Sequence, residues 1–324
     1  MTLDQFRFAT AEFDQLAAGT NAIDRFCSSS VWALSAHETL MPPREGVIYR
    51  GEHGWAAFAR GVDPNVGPYL QPLEAMWEFA SPLVYRDDEA FAAELSAALV
   101  RDRDEWSIVL IGGQSRESPF FVTLALTLNR AFRVGQYGRT LRHHARLDGG
   151  IAGFLERRSP KFRATLRRAQ RDAARRGIEF EYVDHLSDHD EADQLYRRVL
   201  DVEGRSWKGR EGRGVDRGGM CDFYRAMLYR LWPDDRFRCL FVRVDGRDVA
   251  YVHGGLLDDV YRGFQVSFDA DFAELSPGNL AQLEMIARLG DEGFRLYDLG
   301  SEMEYKRRWA EASFTTVSLL ISKR

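Results

Sequence analysis

The sequence has few cysteines, and they show no pairing pattern. Its 324 residues contain Cys27, Cys221 and Cys239, with no CxxC spacing among them. An odd number without such spacing argues against a disulfide framework and against a zinc-ribbon site, and it is typical of reduced thiols. We therefore predict no metal site.

Long hydrophobic runs are also absent. No apolar stretch reaches the 18 or so residues that a transmembrane helix needs, and the start, MTLDQFRFATAEFD, lacks the apolar core of a signal peptide. We expect a cytoplasmic protein, and peripheral contact with the inner membrane stays open. A GxSxG nucleophile elbow is missing too, so a Ser-His-Asp or Cys-His enzyme is not indicated.

The overall composition is that of a folded globular protein. Hydrophobic residues make up 45% and charged residues 29% of the 37.1 kDa chain, and its net charge is −5. This length suits one large domain or two ordinary ones. The acidic balance does not indicate general affinity for nucleic acids, although cations are concentrated locally.

The second half has a clear succession of elements. Hydrophobic periodicity and turn signals predict the order β-α-α-β-β-β-α-β-α-β. Asp245-Gly246 is a strong hairpin signal between the first two of the three successive strands. Ser276-Pro277 opens a helix with a clear apolar stripe, with Ser276 as a candidate cap. The predicted strands and helices cover residues 178–183, 190–203, 221–231, 238–268, 276–293, 294–300, 305–309 and 314–322.

The first half shows a weaker echo of the same succession. WSIVLIGG follows a helical pattern, as FRLYDLGS does in the second half. We predict an α/β (α+β) fold of two copies, each a mixed, mostly antiparallel sheet flanked by helices. The glycine cluster near residues 147–153 places the boundary between domains 1–150 and 151–324. The alternative is a single α/β domain with a long N-terminal extension.

Four strings carry a family resemblance. They are SPKFRATLRRAQRDAARRG (159–177), EGRSWKGREG (203–212), YRGFQVSFDADFAELSPGNL (261–280) and YDLGSEMEYKRRWA (297–310). In this order they resemble the GNAT N-acyltransferases of the cellulose-biosynthesis (CelD-like) branch and, more distantly, the Fem aminoacyl-transferases. The resemblance covers about residues 155 to 315. It implies tandem GNAT-like domains, and we expect the N-terminal one to be degenerate.

The resemblance implies direct transfer of an acyl group from a coenzyme A or carrier thioester to an amine, with no permanently bound cofactor. Pantetheine would lie between two splayed strands, one of them 261–268, and the pyrophosphate at the N-terminus of the next helix. The implied cofactor-binding residues are Gln265, Ser276, Gly278, Asn279, Arg307 and Arg308.

The phosphate-binding loop departs from the family pattern. The usual signature is Gln/Arg-x-x-Gly-x-Gly/Ala, but only Gly278 is available here, and Pro277 removes one N–H donor. This leaves room for another donor, such as an acyl carrier protein or an aminoacyl-tRNA. Alternatively, this segment merely caps a helix.

A basic helix is predicted over residues 157–176. It holds nine Arg or Lys residues and Asp172 as its single acid. Phosphates are the natural partner of such a surface, on a carrier arm, a tRNA or anionic headgroups. The alternative is a solvated charged face. Sequence-specific DNA binding is not indicated, because no DNA-reading motif accompanies the patch.

The predicted acceptor wall begins after the first helix of the second domain. Glu203 and Trp207 could bind an amine by charge and by cation–π contact, with Lys208 beside them. Asp269 and Tyr305 complete the predicted substrate-binding residues. The alternative is that Trp207 is a core anchor and Glu203 a surface residue.

The remaining predicted catalytic residues are His253, Asp298 and Lys306, with Glu203 as the fourth. His253 would be a near-neutral base, or else a structural histidine. The family pattern resembles D-x-G followed by Y-K-R-R-W, which implies that Lys306 stabilises the oxyanion or holds a phosphate. The alternative is an Asp298–Lys306 ion pair that fixes the loop.

The leading hypothesis is therefore an N-acyltransferase. Its donor would be an acyl-CoA or acyl carrier protein, and its acceptor an amino sugar, an amino acid derivative or a long-chain amine. The second hypothesis is a Fem-like transferase that uses aminoacyl-tRNA. The third is a non-catalytic protein that binds a polysaccharide or a lipid.

Overall fold

A computed structural model describes residues 1–21 and 23–324. The α-helices are α1 (Leu3–Arg7), α2 (Thr10–Gly19), α3 (Ser30–Thr39), α4 (Asp88–Arg101), α5 (Pro119–Leu128), α6 (Gly150–Glu156), α7 (Pro160–Arg175), α8 (His189–Arg205), α9 (Trp207–Arg210), α10 (Gly218–Leu231) and α11 (Pro277–Asp291). The strands are β1 (Glu45–Arg50), β2 (Gly54–Asp63), β3 (Gly67–Pro72), β4 (Leu83–Tyr85), β5 (Ile108–Ser115), β6 (Arg133–Arg146), β7 (Glu179–Val183), β8 (Phe237–Val244), β9 (Arg247–Leu257), β10 (Val260–Phe268), β11 (Leu296–Ser301) and β12 (Ala312–Ser322).

The predicted succession of the second half is present, from β7 through α8, α10, β8, β9, β10, α11 and β11 to β12. The short helix predicted near Tyr305 is a 3₁₀ helix, Glu304–Arg308. Among the described residues, no helix is both long and apolar enough to cross a membrane.

The chain divides into two compact units. The first unit is Met1–Leu141 with Thr315–Arg324, and the second is Arg142–Phe314. This division lies near the predicted one at residues 150 and 151. The end of the chain belongs to the first unit because β12 pairs antiparallel with β5, whereas the sequence prediction placed the final strand in the second domain.

The sheet of the first unit has the order β1-β2-β3-β5-β12, with β4 beside β2. Its pairs are antiparallel except for β3 and β5. Strand β2 is buried on both faces: Ala56 and Phe58 pack with α4 and α5, whereas Trp55 and Ala57 pack with α1, α2 and α3. Helices therefore cover both sides of this sheet.

The sheet of the second unit has the order β7-β8-β9-β10-β11-β6, in which residues 142–146 of β6 take part. Its pairs are antiparallel except for β10 and β11. Helix α11 packs against β8, β9 and β10, and α8 packs against β9 and β10. A core of aliphatic and aromatic side chains fills the layer between the sheet and helices α6, α7 and α11.

Strands β10 and β11 separate shortly after they begin to pair. Their parallel pairing joins Val260 to Leu296, Tyr261 to Tyr297 and Arg262 to Asp298, and β10 then continues to Phe268 without it. Each strand also has a bulge near this point: β10 in its pairing with β9, and β11 in its pairing with β6. Because bulges bend a strand away from its partner, they open a gap between the two strands.

Asp298 holds the point of separation together. Its carboxylate, 6% exposed, pairs with Arg142 of β6 and with Arg262 of β10 at 3.0 Å. The Gly300 N–H donates to the same carboxylate at 2.7 Å. Gly300 has φ +79°, and a Cβ there would lie 2.6 Å from Nη1 of Arg262. A residue without a side chain is therefore required at this position.

We expect Gly300→Ala to destabilise the protein more than Gly293→Ala does. Both glycines have positive φ, at +79° and +87°, so both alanines strain the backbone. Only the alanine at position 300 meets a neighbour, and it displaces Arg262 from a buried carboxylate. The extra loss should be about 2 kcal/mol, measured by urea unfolding, because broken buried ion pairs are costly. Equal losses would show that the pairing adapts.

Candidate active site

A cavity of about 390 Å³ lies in the second unit, beside the gap between β10 and β11. A smaller cavity of about 60 Å³ adjoins it and shares five of its lining residues. The larger cavity is lined by Trp207, Lys208, Gln265, Val266, Ser267, Phe268, Ala273, Ser276, Gly278, Asn279, Gln282, Met303, Tyr305 and Trp309. The smaller one adds Gly263, Phe264, Tyr297, Leu299 and Lys306. The splay of the strands thus brings together residues from all three predicted groups.

Lys306 lies in the wall of the smaller cavity. Its ammonium donates a hydrogen bond to the carbonyl of Ser301 at 3.1 Å. Burial, with the charges of Arg262, Arg142 and Lys208, lowers the pKa of Lys306 to about 8, against the opposing effect of Asp298. At neutral pH the side chain is therefore mostly charged, but it can titrate just above neutrality.

Asp298 acts on this cavity through the arginines that it holds. Burial alone would raise the pKa of Asp298, but Arg142, Arg262 and the Gly300 N–H outweigh burial, so the pKa is lowered and the carboxylate stays ionised. The ion pairs described for Asp298 are with the two arginines rather than with Lys306. The loop is therefore fixed by a different pairing from the Asp298–Lys306 pair that the sequence left open.

Glu203 is buried and Trp207 is half exposed, which is the reverse of the alternative in which Trp207 anchors the core and Glu203 lies at the surface. Glu203 is fully buried: the Tyr251 hydroxyl donates to Oε2 at 3.0 Å and the Val215 N–H donates to Oε1 at 3.1 Å. Trp207 is 49% exposed at the cavity mouth. Lys208 also lines the cavity, and its Nζ lies 3.7 Å from Oε1 of Glu203. Glu203 therefore positions Lys208 rather than offering an open surface to an amine.

His253 lies in the interior, among aromatic rings. It is 1% exposed, stacks between Tyr251 and Phe237, and meets the rings of Tyr224 and Phe264 edge-on. Neither ring nitrogen has a hydrogen-bond partner in the described part of the chain. Burial lowers the pKa of His253 to about 3, so the imidazole is neutral at physiological pH. This differs from the near-neutral base that we expected.

The N-terminus of α11 opens onto the larger cavity, through Ser276, Gly278 and Asn279. Ser276 has φ +52°, and its side chain makes no capping hydrogen bond, contrary to the sequence expectation. A Cβ at position 278 would lie 3.0 Å from Phe268, so Gly278 also permits close packing of the helix on β10. Gln265 lines both cavities from β10. The predicted donor-binding residues on α11 and β10 therefore face one space.

The other predicted residues divide into those at the cavity and those away from it. Tyr305 lines both cavities, and burial raises its pKa to about 12, so the phenol is neutral. Asp269 is fully buried, and its carboxylate accepts from Arg205 at 2.8 Å and from Arg247 at 2.6 Å. The structure therefore uses Asp269 as an ion-pair centre rather than as a contact for substrate.

Arg307 and Arg308 lie on the 3₁₀ helix beside the cavity. Arg307 pairs with Glu302 and is largely exposed. The Arg308 guanidinium lies 5.9 Å from the ring centre of Phe162 on α7. Arg308 therefore lies next to the basic helix, but neither of these predicted cofactor-binding arginines is among the residues that line the two cavities.

Gln282 was missed by the sequence prediction. It is 2% exposed, lines both cavities, and its Nε2 has no hydrogen-bond partner among the described residues. The position lies one helical turn after Gly278, on the buried face of α11. A polar residue on an otherwise apolar helix face was the signal that could have found it.

The basic helix is shorter than predicted. Helix α7 begins at Pro160, and the preceding Arg157 and Arg158 instead pair with Glu311. Asp172 pairs with Arg168 and Arg175. The other cations make no ion pair within the described chain; they are Lys161, Arg163, Arg167, Arg171 and Arg176. An unneutralised basic surface therefore remains.

The first unit contains a larger cleft, of about 950 Å³, beside β1, β2, α1 and α4. None of the predicted site residues lines it. Size alone does not identify a site, and the polar groups that converge in the second unit carry more chemical information. We therefore place the candidate active site in the second unit.

Comparison with known proteins agrees with this location. Residues 160–307 match the sequence model of the acetyltransferase (GNAT) domain. No curated protein sequence matches the chain. This match identifies residues 160–307, a little under half of the chain, as an acyltransferase domain of the GNAT type.

Solved structures show the same fold over nearly the whole chain. The chain is similar to FemX (TM-score 0.63, 12% identity, 95% of each chain covered). It is also similar to a conserved protein of unknown function from Bacteroides thetaiotaomicron VPI-5482 (TM-score 0.63, 13% identity, 97% of each chain). A third is the C-terminal domain of a putative lysylphosphatidylglycerol synthetase from Agrobacterium fabrum (TM-score 0.58, 14% identity, 96% of this chain and 92% of that one). At these identities the likeness establishes the fold alone.

We expect Asp269→Ala to lower the free energy of unfolding by about 3 kcal/mol, because it leaves Arg205 and Arg247 without their buried partner. Asp271→Ala is the matched control. Asp271 is exposed and pairs with Arg210, so its loss should change stability little. Chemical unfolding measures both. If Asp269→Ala kept full stability but impaired substrate binding, the structural role would be wrong.

Proposed function

We propose that the protein transfers an acyl group directly from a thioester to a primary amine, in the cavity beside the separated strands β10 and β11. The observation that carries this proposal is the convergence of Lys306, Gln265 and the N-terminus of α11 on adjoining cavities at the gap. An aromatic and apolar wall, including Trp309 and Phe268, limits access of water.

The donor arm is expected to lie along β10. Beyond Arg262 the edge of β10 that faces β11 no longer pairs with it, whereas the opposite edge pairs with β9. Backbone N–H and C=O groups on an open strand edge bind extended amide-containing ligands well. A pantetheine arm has two amides, so it can add to this edge as a short extra strand.

The reaction needs a positively charged hydrogen-bond donor beside the carbonyl oxygen of the thioester. The amine nitrogen attacks the carbonyl carbon, a C–N bond forms, and the oxygen becomes an oxyanion. The Lys306 ammonium stabilises that charge. The C–S bond then breaks, the thiolate leaves, and the proton lost by the amine passes to it. The products are an amide and a thiol, and the neutral His253 is not required as a base.

The donor is an acyl-CoA or an acyl carrier protein in the leading form of the proposal. The α11 N-terminus supports an anionic donor by its dipole, whereas the N–H groups of Asn279 and Leu280 already donate to the Ser276 carbonyl. The basic surface of α7 supports a larger polyanion. Helix α7 adjoins the cavity through its buried face, because Trp309 lines the cavity and packs edge-on against Phe162 at 5.0 Å.

That surface also supports the second candidate function, transfer from an aminoacyl-tRNA. Five cations of the segment lack ion-pair partners in the described chain, and phosphates would neutralise them. The acyl end of the tRNA would reach the cavity past Trp309. An anionic membrane surface would bind the same cations, and it is the third partner that the tests below compare.

We expect the charge of Lys306 to control the rate. Lys306→Arg keeps a cation at every working pH, whereas Lys306 loses its proton as the pH rises through about 8. The ratio of wild-type to variant kcat/KM should be constant below about pH 7 and fall about tenfold per unit above pH 8. Thiol-release assays measure wild-type protein and Lys306→Arg with the same acceptor. The effect of acceptor protonation therefore cancels in the ratio of the two kcat/KM values.

Lys306→Met should lower kcat by about 100-fold, as the loss of an oxyanion-stabilising group does. A flat pH ratio, or full activity of Lys306→Met with an intact fold, would contradict the assigned role.

Thermal shifts identify the donor. Coenzyme A, acyl-CoAs, acyl carrier protein, charged tRNA and anionic vesicles are each added to the wild-type protein. A ligand at 100 times its Kd stabilises the folded state by about 2.7 kcal/mol, which raises Tm by several degrees. We expect acyl-CoA to do so, and Arg167→Gln/Arg171→Gln to leave this shift unchanged while weakening any tRNA or vesicle binding. Stabilisation by charged tRNA alone would establish the second candidate instead.

A further inference from the structure

The charged side chains that line the two candidate-site cavities are all cationic. No Asp or Glu is among the residues that line the two cavities, whereas Lys208 lines one and Lys306 the other. The two lysines are close enough for Lys208 to lower the pKa of Lys306. An ammonium group would be repelled there. The acceptor amine therefore binds in its neutral form, and an anionic group is attracted to the same space.

Lysine is rare in this protein, which makes its position informative. The chain has 44 Lys and Arg residues, and the lysines are Lys161, Lys208, Lys306 and Lys323. Two of the four therefore lie at the cavities. Unlike a planar guanidinium, an ammonium is a compact charge with three donors that can approach a single oxygen from many directions.

Lys208 has donors available for a ligand. Its Nζ lies 3.7 Å from Oε1 of Glu203, which is too far for a hydrogen bond, and no other hydrogen bond of Nζ is formed within the described chain. Glu203 is already held by the Tyr251 hydroxyl and the Val215 N–H. The ion pair therefore fixes the direction of Lys208 without using its N–H groups.

The turn that carries Lys208 is capped and closely packed. The side chain of the fully buried Ser206 caps α9 by accepting the Gly209 N–H at 3.1 Å. A Cβ at Gly209 would lie 2.2 Å from the Glu203 carbonyl, so the turn packs tightly on the end of α8. A closely packed turn reduces the entropy cost of holding the lysine in a binding position.

Gln282 supplies a second, independent sign of a ligand. Its amide Nε2 is buried and has no partner among the described residues, yet the side chain lines both cavities. A buried donor without a partner is costly, and a ligand oxygen would satisfy it. Trp207 and Met303, both about half exposed, offer apolar contact at the mouth of the same cavity.

We propose that the acceptor is a primary amine that also bears an anionic oxygen group, which Lys208 binds with help from Gln282 while Trp207 and Met303 contact its apolar part. This inference rests on the proposed acyl transfer to amines and names the acceptor class within it. A carboxylate or a phosphate monoester supplies the same chemistry. Lys208 is therefore a specificity residue, and Glu203 is the positioning residue behind it.

Calorimetry with product analogues tests the inference without needing the donor. N-acetylphenylalanine is compared with N-acetylphenethylamine, and N-acetylphosphoethanolamine with N-acetylethanolamine. In each pair only the first compound is anionic. We expect at least one anionic compound to bind wild-type protein about tenfold more tightly than its neutral counterpart, and the pair that shows this identifies carboxylate or phosphate.

Lys208→Met should abolish that preference, Lys208→Arg should keep part of it, and Lys323→Met, in the first unit, should leave it unchanged. Equal binding of anionic and neutral compounds, or no binding of either anionic one, overturns the inference. A loss of coenzyme A binding in Lys208→Met instead assigns the anion to the donor, which also overturns it. If the protein acylates neutral amines without this preference, the proposed function stands and only the acceptor class is wrong.

Discussion

The candidate active site depends on the ion pairs of one buried carboxylate, that of Asp298. It lies at the last pair where β10 and β11 are joined, and it holds one arginine from each neighbouring strand together with the Gly300 N–H. A carboxylate buried this deeply must keep these partners, because losing one leaves an uncompensated charge. The place where the strands separate is therefore fixed, and with it the gap, the cavity and the position of Lys306.

A short parallel strand pair such as β10–β11 does not by itself create an open cavity, as the first unit shows. In the first unit, β3 and β5 are also parallel and pair over a short stretch. There the chain after β3 covers β5: a Cβ on Gly113 would lie 2.4 Å from the backbone of Ala80, and Gln114 donates to Ser81 at 2.8 Å. The buried Glu74 accepts N–H groups of the same segment. Protein atoms thus occupy in one unit the kind of space that is open in the other.

Sequence reasoning predicted what depends on local pattern. Helix periodicity and turn residues placed the elements of the second half, and Lys306, Gln265 and Asn279 were found with the cavity residues. It could not predict what depends on distant pairing. Arg142 reaches Asp298 across 156 positions, and each sheet includes a strand from the other half of the chain, through β6 and β12. Burial of Glu203 and exposure of Trp207 likewise follow from packing, because composition alone favours the reverse.

The cations of the second unit divide by chemistry. Arginines hold the buried carboxylates of Asp298 and Asp269, where a permanent charge and a planar fork suit fixed pairs. Lys208 and Lys306 line the cavities, where the proposed transfer needs a compact charge beside an oxygen that changes from carbonyl to oxyanion. The arginines also act on the lysines, since Arg262 and Arg142 help to lower the pKa of Lys306 to about 8. The arginines of these ion pairs therefore also adjust the acidity of Lys306, the group to which we assign stabilisation of the oxyanion.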